Sequence, residues 1–173
     1  YTSHYKNNNL FYDGYDDNGC IMSDICYQFV ETKAELNKHF DKLIECSQLA
    51  LKKTGEHGIT CEILMDQMIR YVETGYGCLL LGFDIKDELV GFLWGVLIKD
   101  PKESWVEITA LWSKPGIGSL VKFEAFNLLE QWARARNATK ILACVTRSPD
   151  IFYEFFYMAL GFRKVGYLLE ARL

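Results

Sequence analysis

Several things are missing from this chain, and each absence closes a class of explanation. There is no CxxC pair and no cysteine–histidine spacing of the zinc-site kind, which excludes a zinc finger or a thioredoxin-like redox motif. No run approaches the roughly 20 apolar residues of a membrane-spanning helix, and no signal peptide is visible. The chain begins at Tyr1 rather than at Met. Basic residues are in deficit, with 19 Lys and Arg against 23 Asp and Glu and a formal net charge of −4. They are not clustered either, which argues against a general nucleic-acid binder or an acidic-membrane binder. Internal repeats and low-complexity linkers are absent as well.

What is present points to one globular domain. The chain has 173 residues, half of them hydrophobic, enough for a sizeable core. The six cysteines, Cys20, Cys26, Cys46, Cys61, Cys78 and Cys144, fall mostly in apolar segments. They read as reduced core thiols in a reducing, cytoplasmic setting. The first 24 residues differ in character. Asn7-Asn8-Asn9 and Asp13-Gly14-Tyr15-Asp16-Asp17-Asn18-Gly19 are turn-formers without periodicity. They predict an irregular arm over 1–24, able to engage a protein partner, ahead of a domain over 25–173. The acidic cluster in the arm lacks the spacing and the terminal Glu of a calcium loop.

Along the domain, Cys26 to Val30 reads as a strand. Thr32 with Glu35 forms a capping box. Leu36, Phe40, Leu43, Ser47 and Leu51 then recur at helical spacing up to Gly55. A second helix starts near Thr60, with Leu64, Met68 and Tyr71 on one face, and ends at Gly75. Cys78 to Phe83 and Leu89 to Ile98 make an antiparallel hairpin across a polar turn, and Trp105 to Trp112 is the next strand. After a glycine-bearing turn, Val121, Ala125, Leu128 and Trp132 mark a long helix, with Glu130 and Arg134 as an i,i+4 pair. Lys140 to Val145 is a strand. Ser148-Pro149 opens a short helix with Phe152, Phe155, Phe156 and Ala159 on its buried face. Gly161 closes that helix, and Phe162 to Leu169 is a last strand. The predicted fold is α+β, a mixed and mostly antiparallel sheet of six to seven strands flanked by about four helices. The unit around 105–145 favours a parallel crossover.

Chemistry concentrates at Ser113-Lys114-Pro115-Gly116-Ile117-Gly118-Ser119-Leu120, between the strand and the long helix. A turn of this kind leaves backbone N–H groups aimed at one spot. Glycines admit an anion, and the helix N-terminus adds partial positive charge. The bland alternative is a tight turn and nothing more.

A second motif, Phe156-Tyr157-Met158-Ala159-Leu160-Gly161-Phe162, lies downstream. With the glycine loop and the element order, it resembles the GNAT N-acetyltransferase superfamily over about residues 26–173. The family's loop pattern is Gln/Arg-x-x-Gly-x-Gly/Ala, and its amides hold the pyrophosphate of acetyl coenzyme A. Gly116 and Gly118 match its small residues. Ser113 stands in place of Gln or Arg, Lys114 is positioned to compensate as a point charge, and Pro115 removes one donor.

The resemblance implies acetyl-CoA as co-substrate, held by Leu111, Trp112, Ser113, Lys114, Gly116, Ile117, Gly118, Ser119 and Tyr153. It implies acetyl transfer to an amine by direct attack in a ternary complex. The acceptor is an amine on a small molecule, a protein or a base. Glu107, in the apolar strand Trp105-Val106-Glu107-Ile108, is the candidate base, its pKa to be raised by burial; the alternative is that it faces solvent. Tyr157 is the candidate acid, and a backbone N–H at Leu111 or Trp112 the oxyanion donor. Cys144 and Val145 are expected beside that slot, and no His accompanies Cys144 to make it a nucleophile. His39 and His57 are weaker candidates for the base. Glu62, Asp66 and Glu73 make either an acidic rim for a cationic amine or a solvated helix face. A homodimer is a further expectation. The competing reading is a catalytically degenerate module of the same fold, serving as a structural or regulatory binding component.

Overall fold

The computed structural model describes residues 25–54, 60–114, 119–143 and 161–162. The arm over 1–24, the loop 115–118, and the segments carrying Cys144, Tyr153, Tyr157 and the last predicted strand lie outside the described residues.

The order is β1 (Cys26–Val30), α1 (Lys33–Lys38), α2 (Phe40–Thr54), α3 (Cys61–Glu73), β2 (Gly77–Phe83), β3 (Leu89–Lys99), β4 (Ser104–Ser113), α4 (Ser119–Ala135) and β5 (Lys140–Ala143). The strands lie in one sheet in sequence order, β1-β2-β3-β4-β5. The first three pairings are antiparallel and β4–β5 is parallel, as the crossover through α4 requires. The described sheet has five strands where six to seven were expected; the sixth predicted strand falls almost wholly outside the described residues.

β2 explains the layering. Every residue from Gly77 to Phe83 is buried, because both faces of this strand are covered. Leu79, Leu81 and Phe83 join one core with Leu36, Leu43, Met65 and Met68 of the first three helices. Cys78 and Leu80 point to the other face and join Ala125, Phe126, Leu129 and Trp132 of α4. An unbroken apolar run is what two-sided burial produces, whereas one-sided burial gives alternation. Burial pushes the Cys46 thiol up to about 11 and raises that of Cys78 as well, which keeps both protonated and unreactive.

Local signals hold at most helix ends. Thr32 Oγ1 accepts from the Glu35 amide at 3.2 Å, and Glu35 Oε2 accepts from the Thr32 amide at 3.2 Å, completing the capping box. Thr60 caps α3 through the Ile63 amide at 3.3 Å, and Gly75 follows it with φ of 72°, a left-handed conformation suited to glycine.

Three expectations need correction. The first helix is two helices, interrupted at His39. The His39 amide bonds Leu36 O at 3.0 Å, three residues back, and its ring packs 5.1 Å from that of Phe83. On α3 the buried face is Leu64, Met65, Met68 and Val72, with Tyr71 exposed. On α4 it is Ala125, Phe126, Leu129, Trp132 and Ala133, with Leu128 only partly buried. The expected Glu130–Arg134 pair is present at 2.6 Å.

Candidate active site

The strand register builds the site from four residues in one row. Tyr27 pairs with Gly82, Gly82 with Gly91, and Gly91 with Ser113. This row crosses four strands at the end of the sheet where β4 finishes. It borders an open, mostly apolar cleft of about 340 Å³, including the solvent at its mouth, lined also by Leu111 and by Ala125 of α4. The two glycines give the cleft a backbone floor. A β-carbon at Gly91 would lie 3.1 Å from the Trp112 carbonyl oxygen, so the chain approaches too closely there for a side chain to fit easily.

Sequence reasoning missed Tyr27, Gly82 and Gly91. A signal was available, since an isolated glycine inside an apolar strand run marks close approach of another group. The Tyr27 phenol has its pKa raised by burial, and secondarily by the charge of Glu124 on α4. It therefore stays protonated as a donor. Burial raises the Glu124 carboxyl as well.

α4 begins six residues after Ser113. Its first four amides, from Ser119 to Lys122, have no intrahelical acceptor. No acidic side chain lies in its first turn, so no nearby carboxylate of the helix competes for its positive end. Gly116, Ile117 and Gly118 lie outside the described residues, as do Tyr153 and Tyr157. Of the loop, Lys114 is described: its amide donates to Val90 O at 2.8 Å, and its ammonium lies 3.2 Å from Glu88 Oε2.

That amide bond fixes which way the N–H groups of Leu111 and Trp112 point. In an antiparallel ladder, successive residues direct their N–H groups to opposite sides. Lys114 faces β3, and so does Trp112, paired with Phe92. Leu111 and Ser113 therefore direct their N–H groups to the β5 side. The described β4–β5 pairing runs from Trp105↔Lys140 to Ile108↔Ala143, short of both residues. Between the pairing and Leu111 lies a bulge: Gly95 pairs with Ile108 and Trp94 with Ala110, leaving Thr109 as the extra residue.

Glu107 sits two residues before the bulge. Its neighbours Val106 and Ile108 are buried against α4, and its register partner Val96 belongs to the opposite core. Its side chain thus leaves the sheet on the α1–α3 face, where it is exposed. The expected burial among Trp105 and Ile108 is not found. The pleat sends Ile108 to the other face, and no described helix covers Glu107. Of the other acceptor-side candidates, Glu62, Asp66 and Glu73 are all exposed on α3, and Arg70 holds Asp66 at 2.8 Å. His39 is at the sheet end opposite Glu107, with its pKa lowered chiefly by burial. His57 is outside the described residues. No described helix is long and apolar enough to cross a membrane.

No model of a known protein family matches the sequence, and no curated protein matches it. Solved structures do match. A predicted acetyltransferase from Clostridium acetobutylicum, solved with acetyl-CoA, is 16% identical with a TM-score of 0.69, over 86% of this chain and 96% of that one. An aminoglycoside 6'-N-acetyltransferase from Acinetobacter baumannii is 11% identical with a TM-score of 0.62, over 86% and 97%. Another aminoglycoside acetyltransferase, solved with a bisubstrate analogue of coenzyme A and acetylneamine, is 10% identical with a TM-score of 0.67, over 87% and 99%.

Proposed function

We propose, from the premise that this chain has the fold of the GNAT N-acetyltransferases, that it transfers an acetyl group from acetyl-CoA to an amine within a ternary complex. One observation carries this reading: the acid-free first turn of α4 and the apolar cleft beside β4 meet at the same end of the sheet. Such a pairing suits a ligand with an anionic end and an uncharged arm. The neighbours solved with acetyl-CoA and with a coenzyme A analogue support this choice.

Acetyl-CoA supplies the acetyl group as a thioester. The amides of Gly116 to Leu120 hold its pyrophosphate, with Lys114 as the adjacent cation. Ser113, Leu111 and Trp112 flank its arm, and Tyr153 lines the same pocket. The Leu111 N–H donates to the oxygen that becomes negative as the amine attacks. Glu107 accepts the proton that the amine loses. It lies four residues before Leu111, about 10 Å away along a bulged strand, so it acts through intervening solvent, which its exposure allows. Tyr157 returns a proton to the departing thiolate. Holding both substrates together supplies much of the rate, and no covalent intermediate is needed.

The amine acceptor lies on the α1–α3 side, where Glu107 emerges. Aminoglycoside acetyltransferases among the structural neighbours make polyamines the first acceptors to test. The expected result is acetyl-CoA-dependent release of free thiol that requires an added amine, followed by thiol titration across a panel of aminoglycosides, simple polyamines and peptide amines. Thiol release by no amine, from a chain that binds acetyl-CoA, would favour the degenerate binding module instead.

A further inference from the structure

We infer that the joint between α1 and α2 is an acid-released latch: with a neutral ring His39 ties both helices to the sheet at Phe83, and with a protonated ring it lets the joint open. The inference uses none of the residues assigned to acetyl transfer above and does not depend on that reading.

His39 is shared by the two helices. Its amide donates to Leu36 O at 3.0 Å and ends α1, while its carbonyl accepts from the Leu43 amide at 2.9 Å and begins α2. Leu36 and Leu43, on either side, are fully buried in the same core. The half-buried ring packs with its centroid 5.1 Å from that of Phe83, which is itself buried at the end of β2. One residue therefore belongs to both helices through its backbone and to the sheet through its ring. Because α2 also packs against β4, an open joint loosens the helix layer over that strand as well.

A charged ring fits this place poorly. Lys38 on α1 and Lys42 on α2 both oppose a proton there, and the Lys42 ammonium is held close by on Asp87 O, at 3.3 Å, in the β2–β3 turn. Two carboxylates act the other way, Glu35 on α1 and Asp87 on the turn. Glu35 Oε2 is committed to the amides of Glu31 and Thr32 at 2.9 and 3.2 Å. Among the described residues neither carboxylate forms an ion pair with the ring. Burial first, and then Lys42, holds the imidazole pKa below its ordinary value. When the joint opens, the ring meets water and takes up a proton at that ordinary value. The open form thus binds more protons than the closed one. The latch is at full strength above about pH 6.5 and weakens as the pH falls below it.

The test is amide hydrogen exchange, followed by NMR on the full chain at about pH 7.5 and about pH 5.5, with rates corrected for the intrinsic effect of pH. The probe is the Leu43 amide, bonded to His39 O, with the amides of β3 as reference. In the unaltered chain the protection of Leu43 should fall several-fold at the lower pH while that of β3 holds. His39→Phe keeps an aromatic ring on Phe83 but cannot titrate, so its Leu43 protection should be the same at both values. His39→Gln loses the ring contact and should exchange faster at both, again without pH dependence. Unchanged Leu43 protection in the unaltered chain, or a fall shared equally by β3, would overturn the inference. An equal fall in His39→Phe would assign the acid effect to another group and overturn it too. If a variant fails to fold, the unaltered chain still decides, because the His39 ring resonance must titrate in step with Leu43 exchange. Titration of that ring with no change in Leu43 exchange means there is no latch.

Discussion

Substituting Glu107 by Gln is expected to lower kcat for amine acetylation by about 10²- to 10³-fold, with the affinity for acetyl-CoA unchanged. Gln keeps the size and hydrogen-bonding shape of the side chain but cannot accept a proton. Glu107 is exposed on the α1–α3 face of β4, so nothing in the core depends on its charge and the variant should fold normally. It also lies away from the sheet end where α4 begins, and for that reason cofactor binding should not respond. The measurement is a steady-state profile of rate against pH for both chains, with acetyl-CoA affinity determined separately. An unchanged kcat and an unchanged pH profile would remove Glu107 from the mechanism.

The largest expected effect on stability comes from Gly77→Ala. A β-carbon at Gly77 would lie 2.3 Å from the Cη2 and 2.7 Å from the Cζ3 of Trp94, and 2.9 Å from the backbone carbonyl carbon of Tyr71. Trp94 is fully buried, a rigid ring packed near Tyr71 with ring centroids 6.5 Å apart. Neither neighbour is the free end of a flexible side chain, so the strand or α3 must shift. Overpacking of this kind costs about 3 kcal/mol, or roughly 6–12 °C in melting temperature for a chain of this size. Because the clash is with the indole, the two sites should couple. Trp94→Leu should cost less in the Gly77→Ala background than in the unaltered chain, and a thermodynamic cycle measures the difference. Additive effects would mean that the ring is not what excludes the methyl group.

How far the sequence is legible follows from what each residue's neighbours are. The caps at Thr32 and Thr60 and the stop at Gly75 are local hydrogen bonds or local dihedral demands, and the sequence states them directly. The hairpin of β2 and β3 is similarly local, as is the Glu130–Arg134 pair. The break at His39 is not. Leu36 and Leu43 are seven residues apart, a spacing that suits one continuous helix as well as two short ones. His39, the residue at the break, packs on Phe83, 44 residues later.

Glu107 is an intermediate case. The alternation Val106-Glu107-Ile108 sends it to the face opposite its neighbours. Whether a helix covers that face depends on where α1–α3 lie, which no local pattern records. The cleft was missed for the same reason. Gly82 and Gly91 each mark a close approach within an apolar run, but they become a floor only when the register sets them beside Tyr27 and Ser113. The Glu88–Lys114 pair spans 26 positions and had no sequence signal. The motif residues Gly116, Gly118, Tyr153 and Tyr157 rest on the resemblance and on the chemistry of helix N-termini.

The central claim is that the chain holds acetyl-CoA at the loop before α4. Calorimetric titration of the purified chain with acetyl-CoA, beside Gly118→Arg as a control, tests it most directly. If the loop holds the phosphates as proposed, an arginine at Gly118 fills the space that they need. The account predicts binding in the micromolar range, lost in the control with no change in melting temperature. No binding by the unaltered chain at high acetyl-CoA concentration, or equal binding by both chains, would contradict it.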